Sequence, residues 1–135
     1  MKKDSILTTP TPHRPRILIA EDDPFLIEIM KRFMEDEMLE VDSASNGQEA
    51  IDLLHKRHYQ LALLDVNMPL KNGFDVLREI STLVNPPPAI MFSNFDQLES
   101  KDEALALGAK GYFVKHQVDL DDLRRIVRTY IKGGV

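Results

Sequence analysis

From Arg16 onward the apolar residues of this chain fall into two alternating rhythms. Short continuous runs, RILIA (16–20), LALLD (61–65), PAIMF (88–92) and KGYFV (110–114), predict buried strands, and the alternating LEVDSA (39–44) predicts an edge strand. Between these runs the apolar positions recur at helical spacing. After Pro24 one face carries Leu26, Ile29, Met30, Phe33 and Met34; NGQE (46–49) has capping-box character ahead of Ala50, Leu53 and Leu54. Phe74, Leu77 and Ile80 mark a third helix, and LESKDEALALG (98–108), closed by Gly108, a fourth. Asp119 and Asp122 open a fifth, with Leu123, Ile126, Val127, Tyr130 and Ile131 on its face. Strand then helix, five times over with short connections, predicts an α/β fold built on a doubly wound parallel sheet. No repeat or linker interrupts the chain after residue 16, so one domain is expected over 16–135. Residues 1–15, Thr/Pro-rich with prolines at 10, 12 and 15, read as a flexible N-terminal tail.

Composition narrows the class without naming a function. The chain has 135 residues, 43% hydrophobic and 29% charged, which suits one globular domain with a sizeable core. It has no cysteine, so a disulfide framework and a thiolate zinc site are excluded, and a reducing, cytoplasmic setting fits. The N-terminus lacks the apolar core of a secretory signal, and no run approaches the ~20 apolar residues of a membrane span. A net charge of -5 argues against nucleic acid as the partner of this segment.

The candidate chemistry lies where the strands end. ILIAEDDP (17–24) closes an apolar strand on three carboxylates and a proline. Asp23 as N-cap with Pro24 at the first helical position accounts for one of the three; Glu21 and Asp22 need another reason. In doubly wound sheets ligands bind outside the carboxyl ends of the strands, and there this sequence puts Glu21, Asp22, Asp65, Ser93 and Lys115. Carboxylates gathered on one rim repel unless a cation sits among them. Oxygen donors without His or Cys suit a hard ion, Mg²⁺ above all, which commonly bridges carboxylates to phosphate. A carboxylate also serves as nucleophile toward a phosphoryl group; an ammonium and a hydroxyl then neutralise and bond the phosphoryl oxygens. Other candidates read as structural. Met30, Met34 and Met38 are expected in the core. His13, His55, His58 and His116 form no metal-ligand pattern and are expected at the surface, and LESKDE is expected to be a solvated helix face.

With these residues in place the chain resembles the response-regulator receiver domains of two-component signalling. ILIAEDDP is similar to the family's opening acidic segment, LLDVNMP (63–69) to its phosphorylation segment, and ALGAKGYFVK (106–115) to its last signature. The resemblance covers about residues 16–132 and implies a flavodoxin-like (βα)5 fold of strand order 2-1-3-4-5. It implies Asp65 as phosphoacceptor, and Mg²⁺ held by Asp22, Asp65 and the backbone carbonyl of Asn67 with Glu21 completing the acidic pair. It further implies Lys115 as the catalytic lysine, Ser93 as the switch hydroxyl and Tyr112 as the aromatic that rotates on activation. The implied partners are a sensor histidine kinase or phosphotransfer protein as donor. A downstream protein target, an output domain or a second receiver would dock on the fourth helix, fifth strand and fifth helix. Two residues depart from the family pattern: His116 follows the lysine where proline is usual, and Asn94 follows the hydroxyl where a small residue is usual. Two rival functions use the same residues. An aspartate-nucleophile phosphatase places a second aspartate two positions after the first, where this chain has Asn67; a receiver-fold adaptor would signal by binding alone. No output segment follows residue 132, which leaves a stand-alone receiver or a piece of a larger regulator.

Overall fold

The computed structural model describes residues 14–94 and 98–131, so the expected tail lies outside the described residues apart from its last two, Arg14 and Pro15. Strands and helices alternate: β1 (Arg16–Ala20), α1 (Pro24–Asp36), β2 (Glu40–Ala44), α2 (Gly47–Lys56), β3 (Leu61–Asp65), α3 (Gly73–Ile80), β4 (Ala89–Ser93), α4 (Leu98–Ala106), β5 (Gly111–Val114) and α5 (Leu120–Ile131). The five strands form one parallel sheet of order β2-β1-β3-β4-β5. Successive strand residues point to opposite faces. Leu18, Ala62, Leu64 and Met91 therefore pack with Ala50, Leu54, Val76, Leu77 and Ala104 of α2, α3 and α4. Ile17, Ile19, Leu61, Leu63, Ile90 and Phe92 pack on the other face with Phe33 and Met34 of α1 and Leu123, Ile126 and Val127 of α5. Every residue of β3 is buried, as a central strand covered on both faces requires.

The helix starts follow the sequence. Asp23 Oδ1 accepts from Phe25 N at 2.9 Å and Leu26 N at 3.4 Å, and Pro24 occupies the first turn. Asn72 and Asp75 form a reciprocal capping box, each accepting the other's backbone N–H at 3.0 Å. Asp119 and Asp122 do the same for α5, and the N–H of Asp122 holds the Asp119 carboxyl below its usual range. At α2 the cap is Asn46, but the Glu49 carboxylate reaches Ser45 N at 2.7 Å, not the cap residue itself.

Boundaries shift by a residue or two. β2 begins at Glu40, β4 runs Ala89–Ser93, β5 begins at Gly111 and α4 ends at Ala106, with a turn to Gly108 at φ 105°. Edge strand β2 buries no alternate set of residues, because α1 and α2 cover both its faces. Met34 is fully buried, yet Met38, expected in the core, is 60% exposed at φ 65° in the turn that ends α1. Ile29, placed on the inner face by its spacing, is 44% exposed at the open end of α1. The other end of that helix is tied to α5. There Glu37 meets Arg124 at 3.5 Å and Arg128 at 3.4 Å, and the Arg124 guanidinium lies 5.3 Å from the Phe33 ring centre.

Candidate functional site

Parallel pairing in register brings the carboxyl ends of β1, β3, β4 and β5 to one rim. Among the described residues the buried polar or charged side chains are Glu21, Asp65 and Ser93, at 3%, 3% and 2% exposure, and all three stand on that rim. Asp65 ends β3 and pairs across the sheet with Phe92, the residue before Ser93; Val114, the residue before Lys115, pairs with Ser93. Lys115 then reaches back over the rim. Its Nζ lies 2.7 Å from Glu21 Oε1 and 3.1 Å from Asp65 Oδ2.

The remaining oxygens are held by the backbone. Glu21 Oε2 accepts from Asp23 N at 3.1 Å, and Asp65 Oδ1 accepts from Asn67 N at 3.2 Å. The chain after Asp65 folds tightly: Val66 N donates to Phe92 O at 2.8 Å and Gly73 N to Val66 O at 3.0 Å. A Cβ on Gly73 would stand 2.3 Å from the carbonyl oxygen of Asp65, so glycine alone lets α3 start this close beneath β3.

Burial first, and the charge of Glu21 second, push the Asp65 carboxyl up to about 6 despite Lys115 beside it. Burial alone would lower Lys115, but its hydrogen bond to Glu21 and the charge of Asp65 outweigh that and hold the ammonium above its ordinary value. Glu21, Asp22 and Asp65 each offer an oxygen, all within 4.8 Å of one another. Three hard donors at that spacing fit an oxygen-preferring divalent cation.

Glu21, Asp22, Asp65 and Lys115 thus converge as expected, with Ser93 buried on the next strand end. Asn67 is exposed and touches the site through its N–H. His116 does not hold Lys115 away: the described peptide bonds are all trans, and residues Lys115–Gln117 form a 3₁₀ turn closed by Val118 N to Lys115 O at 3.3 Å. His55, one of the expected surface histidines, pairs with Glu79 at 2.7 Å; His13 lies outside the described residues. Tyr112 stands away from the rim on β5, opposite Met91, with its hydroxyl buried.

Sequence reasoning missed a cavity of about 110 Å³ that opens beside the acids, between α1 and α5. Leu26, Met30, Leu63, Phe92 and Leu123 line it, and Ile29 and Leu120 at its opening are 44% and 51% exposed. Phe25, in the first turn of α1, is 75% exposed.

The geometry has counterparts. Residues 17–128 match the model of the response regulator receiver domain. MalR of Bacillus subtilis, a transcriptional regulatory protein, is 34% identical over 126 residues, covering 84% of this chain and 52% of MalR. The chemotaxis protein CheY of Halobacterium salinarum is 28% identical over 100 residues, 74% of this chain and 83% of CheY. Among solved structures, the receiver domain of Francisella response regulator 1452 superposes with a TM-score of 0.82 at 27% identity, covering 90% of this chain and all of that one. TrrA of Thermotoga maritima, solved with Mg²⁺ and a beryllium fluoride, does so at 0.77 and 30% identity, covering 87% and 99%. The fold and its strand-end acids define a class, the phosphorylation-dependent signalling domains of two-component systems. This chain belongs to the response regulator receiver domain family, and it spans about half the length of MalR. No described helix is long and apolar enough to cross a membrane.

Proposed function

We propose that Asp65 is the phosphoacceptor and that a histidine kinase or phosphotransfer protein supplies the phosphoryl group. The observation that carries this reading is the pairing of Lys115 with both Glu21 and Asp65 at a buried strand end. A carboxylate oxygen of Asp65 attacks phosphorus, an O–P bond forms, and the P–N bond to the donor imidazole breaks, returning the electron pair to that nitrogen. Asp65 must be ionised to do so, which near neutral pH it is, its carboxyl titrating at about 6. Lys115 is already seated against the attacking carboxylate, so its charge meets the phosphoryl oxygens without rearranging. Ser93 supplies a hydroxyl from the neighbouring strand end.

Mg²⁺ would be held by Asp22, Asp65 and the carbonyl of Asn67, with Glu21 beside them, and when bound it would offset the phosphoryl charge. Phe25, Ile29 and Leu120 give the donor protein an apolar seat next to the acids. The Asn67 side chain carries no carboxyl to act as an acid or base, which favours a phosphoacceptor over a phosphatase nucleophile. The signal passes through Ser93 and Tyr112 to the face of α4, β5 and α5. A groove there, lined by Lys101, Phe113, Arg125 and Tyr130, supports docking of a target, an output domain or a second copy.

Acetyl phosphate with Mg²⁺, read by intact mass or a phosphate-retarding gel, tests the assignment. The label is expected on Asp65, lost in Asp65→Asn and lost in EDTA. Undiminished labelling of Asp65→Asn would overturn it.

A further inference from the structure

The loops that carry the acids lie far apart in sequence, and one short junction touches both. Glu21 N donates to Ala44 O at 2.9 Å, so the loop of Glu21 and Asp22 hangs on the end of β2. Just beyond, α2 starts at the buried Gly47, behind the Asn46 cap. A Cβ on Gly47 would stand 2.0 Å from the carbonyl oxygen of Lys71, in the loop that runs from Asp65 and Asn67 to α3. Within a helix alanine is favoured over glycine, yet here only glycine admits the contact.

The loop on the far side of that contact is strained. Lys71 N donates to Pro69 O at 2.8 Å across Leu70, whose φ is 68°. This closes a γ-turn of the rare, strained hand. The Leu70 side chain is 80% exposed, so its own packing does not offset the strain. Such a conformation persists only where its surroundings over-determine it. Gly73 N, bonded to Val66 O, holds the turn from one side, and Gly47 against the Lys71 carbonyl holds it from the other.

We propose that Gly47 is a positioning residue for the metal and phosphoryl site: through it the junction of β2 and α2 sets the spacing between the loop of Glu21 and Asp22 and the loop of Asp65 and Asn67. The effect on Mg²⁺ rests on the reading of Asp22, Asp65 and Asn67 as its ligands; the spacing of the loops does not. Mg²⁺ demands near-ideal octahedral geometry, so a displaced loop loses affinity although no ligand is removed.

Amide chemical shifts, Mg²⁺ titration calorimetry and thermal unfolding of three variants test this. Gly47→Ala should move the amides of residues 21–23 and 65–67 and lower the thermal midpoint. It should also raise the Mg²⁺ Kd by about 10–100-fold, as losing the support behind a metal ligand does. Leu70→Gly relieves the turn and leaves the clamp, so its Mg²⁺ Kd should stay within about twofold of the wild type. In the double variant the softened turn yields to the new Cβ. Its midpoint should recover while its Mg²⁺ affinity stays low, which decides the matter should Gly47→Ala alone fail to fold.

Shifts confined to residues 45–50 and 70–72, or a wild-type Kd in folded Gly47→Ala, would overturn the spacing role. So would a double variant that regains affinity together with midpoint. Leu70→Gly weakening Mg²⁺ as much as Gly47→Ala would overturn it too, since the turn itself would then set the loop. If the wild type binds no Mg²⁺, the reading of the ligands fails, and the amides of residues 21–23 and 65–67 still decide the spacing.

Discussion

Two neighbouring aspartates show how much one position along the backbone decides. Asp23 is spent on the N–H groups of Phe25 and Leu26, whereas Asp22 is exposed beside two buried acids. Asp23→Ala should cost about 1 kcal/mol of stability as a lost cap and leave Mg²⁺ affinity nearly intact. Asp22→Ala should do the reverse, and Mg²⁺ titration of both variants beside urea unfolding separates them; if Asp23→Ala abolishes binding, the acidic pair is out of register. Asp65 makes a sharper case because its carboxyl is pushed up to about 6 by burial and by Glu21. A raised carboxyl binds its proton more tightly when folded. The stability this contributes is complete below the unfolded value of 3.8 and is lost as pH rises through about 6. The full loss corresponds to about 3 kcal/mol. Asp65→Asn removes that titration, so in EDTA it should stabilise the protein by about 1–3 kcal/mol at about pH 8 and hardly at all at about pH 4. An equal gain at both pH values would place the cause elsewhere.

At the scale of elements, the loop from β3 to α3 sets the position of Asp65. Gly73 donates to Val66 O and sits where a Cβ would meet the Asp65 carbonyl, which is backbone and cannot swing aside. Gly73→Ala should therefore destabilise by about 1–3 kcal/mol and, because the loop must move, weaken beryllofluoride binding as well. Equilibrium unfolding and beryllofluoride titration check both halves; unchanged binding would show that the loop yields without carrying Asp65 along. Elements like this one mark how far the sequence could be read. The central strands were legible because burial on both faces leaves an uninterrupted apolar run, and the helix starts because their caps are local pairs such as Asn72 with Asp75. Alternation rightly marked β2 as an edge strand, though four of its five residues are only half-buried, whereas Met38 kept helical spacing while the chain had already turned at φ 65°. The site residues could be named because each stands at a strand end. What Glu21 does there could not, nor could the proton affinity of Asp65, the cavity behind it or the burial of the Tyr112 hydroxyl. Each of those depends on burial and on contacts between segments far apart in sequence.

Across the whole molecule, the charge balance of the rim links folding, protons and metal. Three acids converge on it, and the described ammonium among them belongs to Lys115, which holds two of the three. Any cation that binds these acids in the folded state and not in the unfolded chain stabilises the fold by mass action, by about 2.7 kcal/mol at a hundredfold excess over its Kd. Mg²⁺ should thus raise the thermal midpoint of the wild-type chain and leave that of Asp22→Ala much less changed. Protons compete for the same oxygens, so the increment should shrink as pH falls through about 6, where Asp65 takes up its proton. Lys115→Ala exposes the balance most directly. In EDTA it strands Glu21 and Asp65 as buried acids without a counter-charge, and the variant should unfold well below the wild type. Added Mg²⁺ then replaces the missing charge, so its increment should exceed that of the wild type, measured as thermal midpoint against Mg²⁺ concentration. An increment equal to the wild type's would mean that ammonium and metal do not share these acids, and the rim would have to be divided into separate sites.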